Sequence, residues 1–314
     1  MASAARATLL ADAGKRAAQV SEFFRSPPFL RAEGASHSLL IEGEQGSEAL
    51  PLQVRQIPGT DRLDAISPYG YPGASEPLQP APSLEAIDFS ATELVSIFVR
   101  DRIGGPACFA GGTLRNEVQI ADPSRPSGVR KRLREQIRRN ERRGWSVGVV
   151  PGPEAGEAER EAFVRAYGET MARTGASERY LFKPQYFASV LAFERSWLLL
   201  AATDGGLPSA GAIAAVSDGY LHYYLGGTGR EALPDSPMKN LFSAMIGLAA
   251  ELSLPLSLGA GVRPGDSLEE FKRGYANATA EFRTHEIVCD ADAYQQLSAG
   301  RPDPAGFFPA YRAS

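Results

Sequence analysis

SWLLLAATDGGLPSAGAIAAVSDGYLHYYLGG (196–227) is the stretch that decides the fold. It contains three apolar runs, SWLLLAAT (196–203), SAGAIAAVS (209–217) and GYLHYYLGG (219–227). Short turns containing Asp and Gly separate them, as hairpins require, so the runs predict three consecutive antiparallel strands. Working outward, Pro237 to Leu252 reads as a helix with Leu241, Met245 and Leu248 on one side, and PLSLGAG (255–261) as a buried strand after it. Asp266 is a good N-cap for a short helix through Arg273, with Glu269 three residues later completing a capping box. EFRTHEIVC (281–289) alternates as a strand. Upstream, WSVGVV (145–150) is strand-like, and residues 156–173 place Phe163, Tyr167 and Met171 at helical spacings of four. Pro184 suits the first turn of another helix. The order is strand, helix, helix, three antiparallel strands, helix, strand, helix, strand. A meander followed by a β-α-β crossover makes an α/β protein with a mixed sheet flanked by helices.

The N-terminal half carries a weaker pattern. It predicts a helix over about 3–24, strands near 37–42, 50–57 and 61–67, a helix or turn near 83–89, and strands at 94–100 and 113–120. The Pro- and Gly-rich stretch 69–83 predicts a loop. A chain of 314 residues fits two domains. Their expected limits are 1–128, a basic linking helix at 129–144, and 145–314. No apolar run reaches the 18 residues of a membrane span, and the N-terminal stretch reads as an amphipathic helix, not a signal peptide; a soluble cytoplasmic protein is expected. Cys108 and Cys289 form no CxxC pair, and three scattered histidines give no metal spacing, so two buried thiols and no metal site are expected.

Several stretches, in this order, resemble the Fem family of peptidoglycan-bridge aminoacyltransferases and their GNAT-like relatives. They are SPYGYPG (67–73), RRNERRGW (138–145), FVRAYGETMARTGA (163–176), PQYF (184–187), GAIAAVSDGYLHYYLGGTG (211–229), LPDSPMKNLFSAMIGLA (233–249), LSLGAGV (256–262) and DSLEEFKRGY (266–275). FKRGY after a strand ending in LGAGV is the most specific of them. The resemblance implies two tandem GNAT-like domains with a cleft between them, the first a diverged copy. It also implies transfer of an amino acid from aminoacyl-tRNA to an amine. The family's motif lysine falls on Lys272, preceded by Phe271. Other substrate contacts are expected from Tyr69 and Tyr71 of SPYGYPG, from Tyr186, from Lys183 and from Arg230. Phe182 stands where family members acting on the cell-wall precursor often carry Arg, which points to a small metabolite or peptide amine as acceptor.

The residues themselves bear on the acyl donor. CoA-dependent GNAT enzymes cradle the pyrophosphate in a glycine-rich loop between the last meander strand and the next helix. Here that loop is GTGREALPDSPMKN (227–240). After Arg230 it has no Gly-x-Gly, and Pro234 and Pro237 remove two N–H donors. A standard acetyl-CoA cradle is therefore not expected, although acyl-CoA remains the alternative donor. The net charge of −4 argues against a general nucleic-acid binder, yet RKRLREQIRRNERR (130–143) holds eight basic residues against two acidic. Arg130, Lys131, Arg134, Arg138, Arg139 and Arg142 can track a phosphate backbone such as a tRNA stem; the alternative is a solvated charged helix. Lys272 is expected to stabilise an oxyanion, against the plainer reading of an exposed lysine paired with Glu269. His222 and Tyr224 share one face of their strand, opposite Tyr223, and either can relay a proton. Asp266 caps its helix or grips the amine. His285 is expected to be a strand residue satisfied by hydrogen bonds.

Overall fold

The computed structural model describes residues 5–263, 265–301 and 307–313. The chain begins with β1 (Ala5–Leu10), α1 (Pro27–Ala32), β2 (His37–Gly43), β3 (Gly46–Gln56), β4 (Leu63–Ile66), β5 (Ile87–Asp88), β6 (Leu94–Arg100) and β7 (Thr113–Ala121). It continues through α2 (Lys131–Arg142), β8 (Ser146–Pro151), α3 (Glu157–Thr174), α4 (Pro184–Leu191), β9 (Ser196–Ala202), β10 (Ala210–Ser217) and β11 (Tyr220–Thr228). It closes with α5 (Met238–Glu251), β12 (Leu256–Gly259), α6 (Ser267–Arg273), β13 (Ala278–Val288) and α7 (Ala291–Ser298). Two compact units result. The first gathers the described residues of Met1–Val20, Phe24–Asn116 and Glu281–Ser314; the second gathers Ser21–Phe23 and Glu117–Ala280. These units are drawn differently from limits at 128 and 144: residues from 281 onward group with the first unit, and α2 belongs to the second.

In the first unit the strands run in the order β5-β1-β2-β3-β4-β6-β13, antiparallel except for β1/β5 and β4/β6. Leu39, Ile41, Leu50, Leu52, Ile97, Val99 and Phe109 form its core. The helix expected over 3–24 is not formed. Ala5–Leu10 is instead a strand between β2 and β5. Asp12 ends it: its carboxylate accepts from Gly14 N–H at 2.9 Å and Arg16 N–H at 2.7 Å, a turn that a helix cannot contain. Alanine-rich composition favours helix only weakly, and strand pairing overrides it. The true helix here is α1, missed by the sequence reading. Ser26 caps it, prolines fill its first turn, and Phe29 and Leu30 are buried.

In the second unit the order is β7-β12-β11-β10-β9-β8, antiparallel except for β11/β12. All eight residues of β10 are buried, because helices cover both faces. On one face Ala212 and Ala214 pack with Leu241, Phe242 and Met245 of α5. On the other, a Cβ on Gly211 would meet the Phe163 ring of α3 at 2.9 Å. Gly227 is held to glycine for the same reason, since its Cβ would lie 2.5 Å from Tyr167 Cα. The expected meander, helix, strand, helix succession is present throughout this unit, with boundaries within a few residues. Among the described residues no helix is long and apolar enough to cross a membrane.

Candidate active site

The site begins where β11 and β12 part. The two strands pair in parallel only at Leu221↔Leu256 and His222↔Ser257. β11 then continues to Thr228, while β12 ends at Gly259, which takes φ +77° and turns the chain away. The register of β11 against β10 slips between Ile213↔Leu225 and Ala214↔Tyr223, so Tyr224 is the extra residue of a bulge. Bulges re-aim side chains, and this one sits at the fork.

Lys272 occupies this fork. Asp266 starts α6 by accepting from Glu269 N–H at 2.8 Å, and it also holds Val262 N–H at 2.7 Å and Arg263 N–H at 2.9 Å. The capping box differs from expectation: the Glu269 carboxylate takes Gly265 N–H at 2.7 Å, one residue before the cap, because Asp266 N–H is bonded to Arg263 O. Phe271 and Tyr275 pack against Phe242, so α6 presents Lys272 inward. Its residue is only 6% exposed, Nζ donates to Ala260 O at 2.7 Å, and the charge lies 5.6 Å from the centre of the Tyr223 ring. The exposed-lysine reading is corrected here: Glu269 pairs with Arg273. Burial pushes the Lys272 ammonium down to about 8, opposed by the more distant Asp266 carboxylate. A lysine so placed can hold or release a proton near neutrality.

Tyr223 and Tyr224 diverge onto opposite faces, as alternation predicts. Tyr223 faces Phe242 and Lys272, and burial raises its phenol to about 12. Tyr224 is buried with its hydroxyl against that of Tyr186, beside Phe23. Tyr186 also stacks on Phe182, ring centres 3.9 Å apart. These two hydroxyls thus occupy each other. His222 is 2% exposed, its Nε2 lies 3.1 Å from Ser217 O, and burial holds it down at about 4. It is a packed imidazole that burial keeps neutral at physiological pH, and its sealed position argues against the proton-relay role. Lys183 is exposed at the start of α4, and Arg230 is exposed with its N–H on Glu169 at 2.7 Å.

The loop before α5 uses its own N–H groups. Thr228 donates to Thr170 Oγ1, Gly229 to Ser209 O and Arg230 to Glu169. Ala232, Leu233, Asp235 and Ser236 donate to carbonyls within the loop, and Lys239, Asn240 and Leu241 to Ser236 or Pro237. Pro234 and Pro237 have none to give. Main-chain nitrogen is therefore spent on the turn, leaving little to cradle a pyrophosphate.

Side-chain cations gather beside this loop instead. α2 is bolted to it: Asn140 Nδ2 donates to Asp235 O at 2.9 Å and to Asn240 Oδ1 at 2.8 Å, and Trp145 Nε1 donates to Asp235 Oδ2 at 3.0 Å. Ile137 is buried beneath. Arg143 pairs with Asp235, so Trp145 and Arg143 together hold the Asp235 carboxyl below its usual range. Half-buried Lys239 is held down by burial and by the neighbouring Arg139 and Arg132 charges. Of the residues expected to track phosphate, Arg130 pairs with Glu270, Lys131 lies 3.9 Å from Glu135, and Arg134 donates to Val129 O at 2.6 Å. Among the described residues, no ion pair engages Arg132, Arg138, Arg139 or Arg142, and all four are exposed. The sequence reading missed Lys239 and the Asn140–Asn240 pair, whose partners lie about a hundred residues apart and carry no local signal.

Tyr69 and Tyr71 belong to the first unit. Tyr69 is 36% exposed, and Tyr71 packs edge-on against Phe24 and Phe282. His285 of that unit bonds Asp101 at 3.0 Å, as a satisfied strand residue. Cys108 is fully buried and Cys289 partly so.

Residues 127–273 match the family model described as an acetyltransferase (GNAT) domain. This segment is similar to a GNAT-type acetyltransferase domain. It begins just before α2 and ends on α6, one residue after Lys272, so the fork, the loop and the basic helix all lie inside it. The chain is similar to the crystal structure of FemX, at 11% identity and a TM-score of 0.58, covering 82% of this chain and 89% of that one. It is also similar to L-PGS from Bacillus licheniformis, at 14% identity and a TM-score of 0.52, covering 82% and 86%. At such identities the likeness is one of fold, and the fold is the Fem-like GNAT architecture that the sequence resemblance implied. No curated protein matches significantly.

Proposed function

We propose that this protein is an aminoacyltransferase that moves an amino acid from aminoacyl-tRNA to the amine of a small metabolite or peptide. The observation that carries this reading is the contrast at the mouth of α5. Most of the loop's N–H groups are taken up by acceptors in the loop or by Thr170, Ser209 and Glu169, while Arg132, Arg138, Arg139, Arg142 and Lys239 remain as side-chain cations. Spaced side-chain charges suit a phosphate backbone, whereas a compact diphosphate is best met by a nest of main-chain nitrogens.

Lys272 supplies the chemistry. The acceptor nitrogen attacks the ester carbonyl, forming C–N as the carbonyl electrons move to oxygen. Lys272 is mostly ammonium at pH 7, and with one hydrogen on Ala260 O it has others to direct at that oxyanion. Collapse breaks the C–O bond. The ribose oxygen leaves with the electron pair and takes up a proton, and the new amide nitrogen loses one. An ammonium lowered to about 8 can serve as the proton donor without stalling as a permanent charge.

A second reading, N-acyl transfer from acyl-CoA, is favoured by the family description of residues 127–273 and by Lys239 and Arg139, which can grip a diphosphate through side chains. Purified protein supplied with a panel of amines separates the two. Amide formation from charged tRNA, abolished by ribonuclease, supports the proposal. Product from acetyl-CoA alone, untouched by ribonuclease, replaces it.

A further inference from the structure

One edge of the second unit is left open. In the strand order β7-β12-β11-β10-β9-β8, β8 comes last and pairs with β9 alone, from Ser146↔Ala202 to Pro151↔Trp197. Alternate residues of an antiparallel end strand turn their N–H and C=O groups away from the neighbour. Among the described residues, no hydrogen bond reaches those outward groups of β8. Nor is the edge covered. Ser146 and Gly148 are exposed, Val149 is 42% exposed, and Val147, Val150 and Pro151 are half-buried. A Cβ on Gly148 would meet nothing within 4 Å.

Open edges are ordinarily blunted by charge, by proline, by a bulge or by being very short. The end strand of the first unit, β5, follows that rule with two residues, Ile87 and Asp88. β8 does not. Its six residues, SVGVVP, span about 20 Å and carry no charge, and Pro151 stands only at the far end. The charges lie beyond the strand and differ in sign at its two ends. Arg138, Arg139, Arg142 and Arg143 precede it, and Glu154, Glu157, Glu159 and Glu161 follow it. Arg142, Glu154 and Glu157 are exposed, and no ion pair engages them among the described residues. An antiparallel strand from a second copy would set the basic end of each against the acidic end of the other. A two-fold axis through the middle of β8, near Gly148 and Val149, brings residues 142–143 of each copy to the end where 153–156 of the other lie. Parallel addition would set like charges together, and an uncharged foreign strand would leave both ends unanswered. The edge and its flanks thus complement a second copy of themselves.

We propose that β8 is a dimerisation edge: two copies of this chain join β8 to β8 in antiparallel sense about a two-fold axis, continuing the sheet from one molecule into the next. The assignment rests on the sheet edge and its flanking charges and does not depend on the acyl donor or on Lys272. An interface built on six residues a side is small, so the dimer is expected to form in the micromolar range and to weaken with salt.

The test is sedimentation velocity on the whole chain from about 1 to 100 µM, at low and high salt. A concentration-dependent monomer–dimer equilibrium, weakened by salt, is expected. Val149→Lys sets two ammonium groups near the axis and is expected to raise the dissociation constant by about ten-fold or more. R142E and E154R each place like charges across the interface, and each is expected to weaken it. Mixed in equal amounts they restore both ion pairs in a heterodimer, and association is expected to return to within about three-fold of the original. A chain that stays monomeric throughout, a dimer untouched by V149K, or a mixture no tighter than R142E and E154R alone each overturns the assignment. Circular dichroism checks folding. Because Arg142 and Glu154 are exposed, the mixing arm keeps the test decisive should V149K fail to fold.

Discussion

Replacing Lys272 with Met should give a protein that is more stable and almost inactive. The side chain is 6% exposed, and burial depresses its ammonium from 10.5 to about 8. The sign follows from linkage. The folded state binds the proton more weakly than the unfolded chain, so the lysine's contribution is fully present above pH 10.5 and is lost as pH falls through 8. At pH 7 the folded protein carries a buried charge costing about 3 kcal/mol, from roughly 1.4 kcal/mol per pKa unit. Methionine has a similar unbranched shape and no charge, so it should recover most of that, roughly 5–10 °C in melting temperature. The gain should persist to pH 8 and shrink between pH 8 and 10.5. Transfer activity should meanwhile fall about 10²–10³-fold, the usual loss when an oxyanion donor is removed. Chemical denaturation at pH 7 and pH 10, with single-turnover kinetics, measures both. A K272M protein destabilised at pH 7, or one whose stability difference does not change with pH, would refute the picture of a desolvated, weakly compensated ammonium.

Other perturbations probe the rest. Changing Arg138, Arg139 and Arg142 together to Ala should reduce the salt dependence of tRNA binding by up to about 0.9 in log–log slope per lost phosphate contact, measured by filter binding at several salt concentrations. His222→Gln should leave activity within about two-fold and its pH profile between 5 and 8 unchanged, since burial keeps this imidazole neutral there; a lost inflection would restore the proton-relay role. Gly227→Ala should cost roughly 1–3 kcal/mol in denaturant melts, because the new methyl meets Tyr167 backbone at 2.5 Å. Glu48→Gln should change stability little at pH 4 and raise it by about 3 kcal/mol above pH 8. A carboxyl that burial raises to about 7 contributes stability below 4.5 that is lost as pH rises through 7, and the amide escapes that loss.

Legibility in the sequence followed the range over which each signal acts. Phe163, Tyr167 and Met171 repeat at helical spacing, and the runs in 196–227 are bounded by turn residues, so these elements can be read without knowing their partners. Ala5–Leu10 could not be. Its alanines favour a helix, and its strand exists only because β2 and β5 supply hydrogen bonds. The site divides in the same way. FKRGY marked Lys272, but nothing local showed whether that lysine pointed outward to Glu269 or inward to Ala260. The missing glycines in 227–240 signalled a poor phosphate nest; that Ser209, Thr170 and Glu169 take up the loop's N–H groups appears only in three dimensions.

The sequence by itself determined the element order from 145 to 289, the basic character of α2 and the identity of the motif lysine, because periodicity, charge and motif spacing are written along the chain. Tertiary structure alone decided that His222 is sealed and neutral, that Lys239 joins the arginines of α2, and that Glu48 is buried with an unmet oxygen. Burial and charge proximity arise from residues tens to hundreds of positions apart, and only the folded chain brings them within reach of one another.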